Sequence, residues 1–225
     1  MKKFIYLPTL VTLLSVFSIF SQKNTYSSLT IPSELKEDAN AVIRDNLFEV
    51  TINDIDEMVV YNRQVITILN KLGDRHASMY EGYDNDTKIK KLSAYIYDAY
   101  GKQIKKYSKG KFLDQSAVDG GTLYSDSRVK YVDYTPISYP YTVVFESEYK
   151  TSTTGFIPWW FPVNGYYVSV EKSTYILKNE QAISLRKKEQ NFKAFEIDKQ
   201  ESTTELKYSL VNQKAYKYES NTISS

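Results

Sequence analysis

Apolar and polar residues alternate along much of this chain, and the alternation is strictest over residues 141–149. Tyr141, Val143 and Phe145 fall on one side there, and Thr142, Val144, Glu146 and Glu148 on the other. Period-two patterning means a half-buried strand. Residues 166–177 read as a second long strand. Between them lies a crossing, 155–165, that is rich in aromatic rings and proline and holds both tryptophans, Trp159 and Trp160.

The remaining pattern predicts many short strands separated by turn signals. Leu35, Ala39 and Val42 recur at helical spacing after Pro32 and Ser33, so a short amphipathic helix with Ser33 as N-cap is expected, ending near Arg44. Residues 47–53 and 57–70 read as a strand pair. The second changes parity between Val65 and Ile66, which suggests a β-bulge near Gln64. A hairpin turning at Gly101 joins 91–97 to 102–107. Residues 108–126 read as a long mobile connection, and 128–134 as a short strand. Further strands are expected over 182–187, 191–198 and 203–210.

Composition narrows the class. Aromatic residues make up 15% of the chain and 21 of them are tyrosines, a ring type suited to pleated, half-buried surface. With so little helical periodicity, the expected fold is all-β: an antiparallel β-sandwich of immunoglobulin-like type with a short N-terminal helix. The expected organisation is a signal peptide over 1–21, a flexible segment and helix over 22–45, the sandwich over 46–212, and a tail or linker over 213–225.

The first 21 residues carry Lys2 and Lys3, an apolar run, and Ser21 at a plausible cleavage point. Export to the periplasm, cell surface or medium is therefore expected, with no membrane span once the signal is removed. Losing two lysines takes the formal charge from +2 to zero, so the basic balance points to no nucleic-acid partner. The chain has no cysteine, which excludes thiolate nucleophiles, thiolate metal sites and lipid acylation, and leaves the fold to its core.

No residue pattern specifies a reaction. His76 is the sole histidine, too few for a histidine zinc site and an unpromising base. Asp84 and Asp86 lack the ligand ladder of a calcium loop and fit an Asx turn better. Glu146 and Glu148 share a strand face, as a glycosidase pair would, but Thr142 and Lys150 on the same face make a solvated strand face the better reading. Gly120–Gly121 lacks a phosphate-loop lysine. Lys102, Lys105, Lys106, Lys109 and Lys111 read as edge-protecting lysines. No catalytic residue, cofactor or metal site is expected. The interaction candidates are Phe156, Trp159, Trp160, Phe161 and Tyr166, whose rings could cap the sandwich, enter a partner's pocket or stack on sugars.

Taken with Asp126, Arg128, Pro136 and the strand at 141–149, the stretches 40–44, 61–69 and 94–102 resemble a bacterial family called domain of unknown function 3857. The resemblance extends over residues 35–210. It implies an exported protein of a Gram-negative bacterium and a β-sandwich that precedes a transglutaminase-like, papain-fold core with a Cys-His-Asp triad. This sequence has no cysteine, so no catalytic residue carries over. The expected role is a non-catalytic accessory domain of a longer envelope protein. A stand-alone module that binds envelope glycan or protein through the aromatic loop is the alternative.

Overall fold

The computed structural model describes residues 26–117 and 126–218. The leader, the Gly120–Gly121 pair and the last residues of the tail lie outside them. Among the described residues there are eleven strands: β1 (Ala41–Asp54), β2 (Glu57–Ile68), β3 (Tyr80–Tyr83), β4 (Thr87–Tyr97), β5 (Gln103–Ser108), β6 (Leu113–Ser116), β7 (Arg128–Tyr131), β8 (Tyr141–Thr151), β9 (Val168–Asn179), β10 (Asp198–Glu201) and β11 (Glu205–Gln213). They form two sheets. The larger runs β10-β11-β9-β1-β2-β8-β4-β5 and the smaller β3-β7-β6. The all-β, two-sheet class is thus as expected. The sheets are unequal, however, and β1 pairs with β9 in parallel while all other pairs are antiparallel.

The inner face of the large sheet follows from register. Ala41, Ile68 and Tyr141 stand level, as do Ile43, Ile66, Val143 and Ile96. With Val168, Val170, Met79 and Phe112 they make one apolar core beneath the small sheet. Val50, Val60, Ile52, Met58, Tyr175, Leu177, Leu206 and Tyr208 make a second core on the same face, covered by Ile157, Trp160, Ile183, Leu185 and Phe192. Residues 182–187, expected as a strand, cover that core as irregular chain. So does most of 191–198, where only a 3-10 turn at Phe192–Ala194 and the start of β10 are regular. The expected long loop is partly regular as well, since Leu113–Ser116 is the edge strand β6.

The N-terminal helix is shorter than its apolar spacing suggested. It spans Ser33–Lys36, its N-cap is Pro32, and no side chain caps it. Ala41 already opens β1, inside the stretch read as flexible segment and helix. Leu35, Ala39 and Val42 do cluster with Ile31, because a turn, a positive φ at Asp38 and a strand start bring them to one side. The bulge lies in β1, not at Gln64: β2 keeps its parity throughout, and the register of β1 shifts between Ile43 and Asp45. Val65 and Thr67 looked like a parity change because that end of the sheet is buried on both faces.

At this shift sits Arg44, 2% exposed. Its Nε donates to Glu171 Oε2 at 2.7 Å, Nη1 to the Ser27 carbonyl at 2.9 Å and Nη2 to Thr30 Oγ1 at 2.9 Å. The Ser27 and Ser28 hydroxyls in turn donate to the Ala99 carbonyl in the β4–β5 turn. One guanidinium therefore ties the N-terminal strap to the two central parallel strands.

Gly73 is a second tight point. A Cβ there would lie 2.2 Å from the Asn40 carbonyl oxygen, a backbone atom that cannot swing away. Gly73→Ala is expected to cost about 1–3 kcal/mol in urea unfolding. A loss below about 0.5 kcal/mol would show that the 71–76 turn relaxes freely.

Candidate functional site

The crossing between β8 and β9 is dictated by topology. Both strands run parallel to β1, so the chain leaving Thr151, level with Met58, must return to Val168, level with Ala41. It passes over the inner face on the way. No charged residue occurs between Lys150 and Glu171, in a chain of which 25% is charged.

Two adjacent tryptophans take opposite roles. Trp160 turns inward. It stacks on Tyr208 with ring centroids 5.8 Å apart, lies 6.3 Å from Tyr175, and meets Phe192 edge-on at 6.4 Å. Its Nε1 donates to Ser173 Oγ at 3.0 Å, which satisfies the indole's one polar atom. The Tyr175 hydroxyl donates to the Pro158 carbonyl at 3.4 Å, and the Thr154 hydroxyl to the carbonyl of Ile55. These contacts pin the loop. Trp159, Phe161 and Phe156 are left facing solvent, 80%, 64% and 84% exposed. Trp159 and Phe161 meet edge-on at 6.0 Å. Ile55, also exposed, belongs to the turn that Thr154 holds.

The five candidate residues therefore do not act as one group. Trp160 is an anchor. Tyr166 lies at the far end of the crossing, edge-on to Tyr218 at 5.4 Å. Phe156, Trp159 and Phe161 remain as the outward surface.

The other chemical candidates are engaged structurally. Glu146 accepts from the Tyr61 hydroxyl at 2.9 Å and Glu148 from Lys91 Nζ at 2.7 Å, on the face away from the small sheet. Burial, then Glu146, push the Tyr61 phenol up to about 12. Asp84 Oδ1 accepts from the N–H groups of Asp86 and Thr87, the expected Asx turn. Arg75 Nε donates to His76 Nε2 at 3.1 Å, and burial together with the Arg75 charge holds the imidazole below its ordinary range. Lys105 and Lys106 lie over the rings of Tyr107 and Tyr95 on and beside edge strand β5. Among the described residues no three metal-ligating side chains converge, and no helix is long and apolar enough to cross a membrane.

Sequence reasoning missed two clusters. Asp74 accepts from the hydroxyls of Tyr139 and, at 3.0 Å, Tyr141. The Asp74 carboxylate pushes the Tyr139 phenol up to about 12, and burial drives Tyr141 higher still. On the small sheet Asp114 accepts from Lys130, Tyr83 and Arg128, and these partners, Lys130 foremost, hold it down at about 2. Cross-strand register brings the second cluster together, and the 71–76 turn meets the chain at 139–141 to make the first; neither is written in local pattern.

The fold and the crossing define a class: an all-β, two-sheet domain that presents aromatic rings on a pinned, uncharged loop. The chain belongs to the family described as Domain of Unknown Function with solved-structure structure (DUF3857), whose profile matches residues 56–217. No curated protein matches it. Among solved structures it is similar to a "putative protease" from Parabacteroides distasonis, with a TM-score of 0.57 and 13% identity over 80% of this chain and 37% of that one. It thus spans well under half of that protein's length. A "putative nutrient binding protein" from Legionella pneumophila matches at a TM-score of 0.32 and 8% identity, over 78% of this chain and 64% of that one. That likeness is too slight to bear on the fold.

Proposed function

We propose that this chain is a non-catalytic accessory domain of a larger exported protein, and that Phe156, Trp159 and Phe161 are the face by which it packs on the domain that performs the chemistry. One observation carries the reading: three large aromatic side chains stand mostly in solvent on a loop pinned from beneath. Surface rings held in place lose little side-chain entropy on docking, and charge-depleted aromatic patches are typical of interface centres. The Parabacteroides chain supports it, because a domain of this shape occupies only 37% of a longer polypeptide there. The resemblance stated above makes a transglutaminase-like core the partner of choice. The leader-like first 21 residues support export. The same rings could instead stack on the faces of a glycan, as the Trp159–Phe161 pair would permit.

The test uses the whole chain and a recombinant transglutaminase-like core from a family member. Binding by calorimetry is expected, weakened at least tenfold by the double change Trp159→Ala and Phe161→Ala, since hot-spot rings are worth about 2 kcal/mol or more. Absent or undiminished binding would remove the docking reading. A shift in tryptophan emission with soluble peptidoglycan fragments, lost in the same variant, would favour the glycan reading instead.

A further inference from the structure

Residues 87–112, which form β4, β5 and the turn after them, hold eight lysines and one acid, Asp98. The whole chain has a formal charge of only +2, so the remainder is net acidic and the protein is electrically polarised. Strand order puts β5 at the edge of the large sheet opposite β10, whereas Trp160 of the crossing packs on β9 and β11.

β5 covers only Ser93–Tyr97 of β4. Beyond Ser93 the edge passes to β4 itself, where Lys109 Nζ reaches back to the Ile89 carbonyl. The lysines follow this edge throughout: Lys102 in the hairpin turn, Lys105 and Lys106 on β5, Lys109 in the following turn, Lys88 and Lys90 on β4. The 11 residues of β4 make the edge about 35 Å long. All eight lysines are exposed. Lys105 and Lys106 lie on opposite faces of β5, over the rings of Tyr107 and Tyr95 at 5.8 and 5.4 Å. Among the described residues only Lys91 of the eight closes an ion pair, with Glu148. Asp98 is engaged in the turn, where its Oδ1 accepts from the N–H groups of Tyr100 and Lys102, both at 2.9 Å. Edge protection asks for a lysine or two on β5. It accounts neither for lysines in both turns nor for what stands at the end of the edge.

That end is apolar. Tyr100 and Ile104 are 74% and 48% exposed, and Leu29 is 69% exposed. The strap holds Leu29 beside the turn, because the Ser28 N–H and hydroxyl both donate to the Ala99 carbonyl, at 3.0 and 2.9 Å. Ile104 is the residue that the β4–β5 register shift leaves with no opposite. A protein partner fits this surface poorly, since interface centres are depleted of lysine. A soluble polyanion would neutralise the lysines and leave Leu29, Tyr100 and Ile104 in water. An anionic bilayer takes both parts. We propose that the β4–β5 edge docks on an anionic lipid bilayer, with its lysines against headgroup phosphates and Leu29, Tyr100 and Ile104 in the interfacial layer. Stable attachment takes two signals, here charge and shallow apolar insertion. The contact is peripheral, and salt weakens it by screening the lysines.

Vesicle flotation tests this. The chain is used from Gln22 onward, because the described fold begins at residue 26 and the apolar leader would itself enter lipid. Binding is expected to phosphatidylcholine vesicles containing about a third phosphatidylglycerol, at least tenfold weaker to pure phosphatidylcholine, and lost in high salt. The double change Lys105→Glu and Lys106→Glu is expected to weaken it at least tenfold. Tyr100→Ser with Ile104→Ser is expected to weaken vesicle binding at least threefold and to leave binding to heparin, a soluble polyanion, as it was. Unchanged thermal unfolding is the control for each variant, and the comparison of the two vesicle types needs no variant. No binding to anionic vesicles, or equal binding to neutral ones, would overturn the proposal. Heparin binding lost with the lysines, beside vesicle binding indifferent to the Tyr100 and Ile104 changes, would overturn it in favour of a soluble polyanion. None of these residues belongs to the crossing, so the outcome is independent of the docking face proposed above.

Discussion

Arg44→Ala is expected to lower the stability of the domain by about 3–5 kcal/mol, the usual cost of leaving a buried ion pair with one partner. The pair is well placed for a large effect: the Arg44 side chain is 0% exposed and that of Glu171 14%. The guanidinium also donates to the Ser27 carbonyl and Thr30 Oγ1, and the variant loses both of these bonds. Arg44→Lys is expected to recover only part of the loss, because a point charge cannot reproduce three donors in a fixed fork. Urea unfolding of the three proteins measures this. A loss near 1 kcal/mol for alanine would mean that water enters the strap and replaces the guanidinium.

Trp160→Ala is expected to cost about 3 kcal/mol, the lower end for a large ring because the indole is only partly buried. The change removes the stack on Tyr208, the edge contact with Phe192 and the donor to Ser173. Trp159→Ala, one residue away, is expected to stay within about 0.5 kcal/mol of wild type. Thermal unfolding of both variants separates anchor from outward surface. Equal losses would show that the crossing is one cooperative cap with no free face.

Several strands were legible from sequence. The alternating run at 141–149 and the one at 166–177 are β8 and β9, although residues 141–145 are buried on both faces, and the Gly101 turn, with φ of 83°, joins β4 to β5. The place of the bulge and the type of some segments were not legible. Val65 and Thr67 are buried on the outer side of β2, so they imitated a bulge. Ile183, Leu185 and Phe192 have the composition of strands and instead lie across a core, the first two in irregular chain and Phe192 in a 3-10 turn. Leu35, Ala39 and Val42 suggested a longer helix than Ser33–Lys36 because three short pieces of backbone meet at one cluster. Of the candidate site, the aromatic crossing was visible as composition. The opposed directions of Trp159 and Trp160 were not, since neighbouring residues in an irregular loop have no fixed period. Arg44 was read as an ordinary polar end, because burial of a charged group depends on strands far away in the chain.

The parallel pairing of β1 with β9 has a consequence for the order in which the fold can form. Arg44 and Glu171 are 127 residues apart, and β1 lacks a neighbour on one side until residues 168–179 exist. Hairpins such as β1–β2 and β4–β5 can close locally and early, but the centre of the large sheet closes last, across the longest loop. Loop-closure entropy falls before the contacts that offset it, which places such a topology among slow folders. Until that closure β1 presents an open edge beside an apolar face, so the nascent chain is at its most adhesive just before residues 168–179 are made.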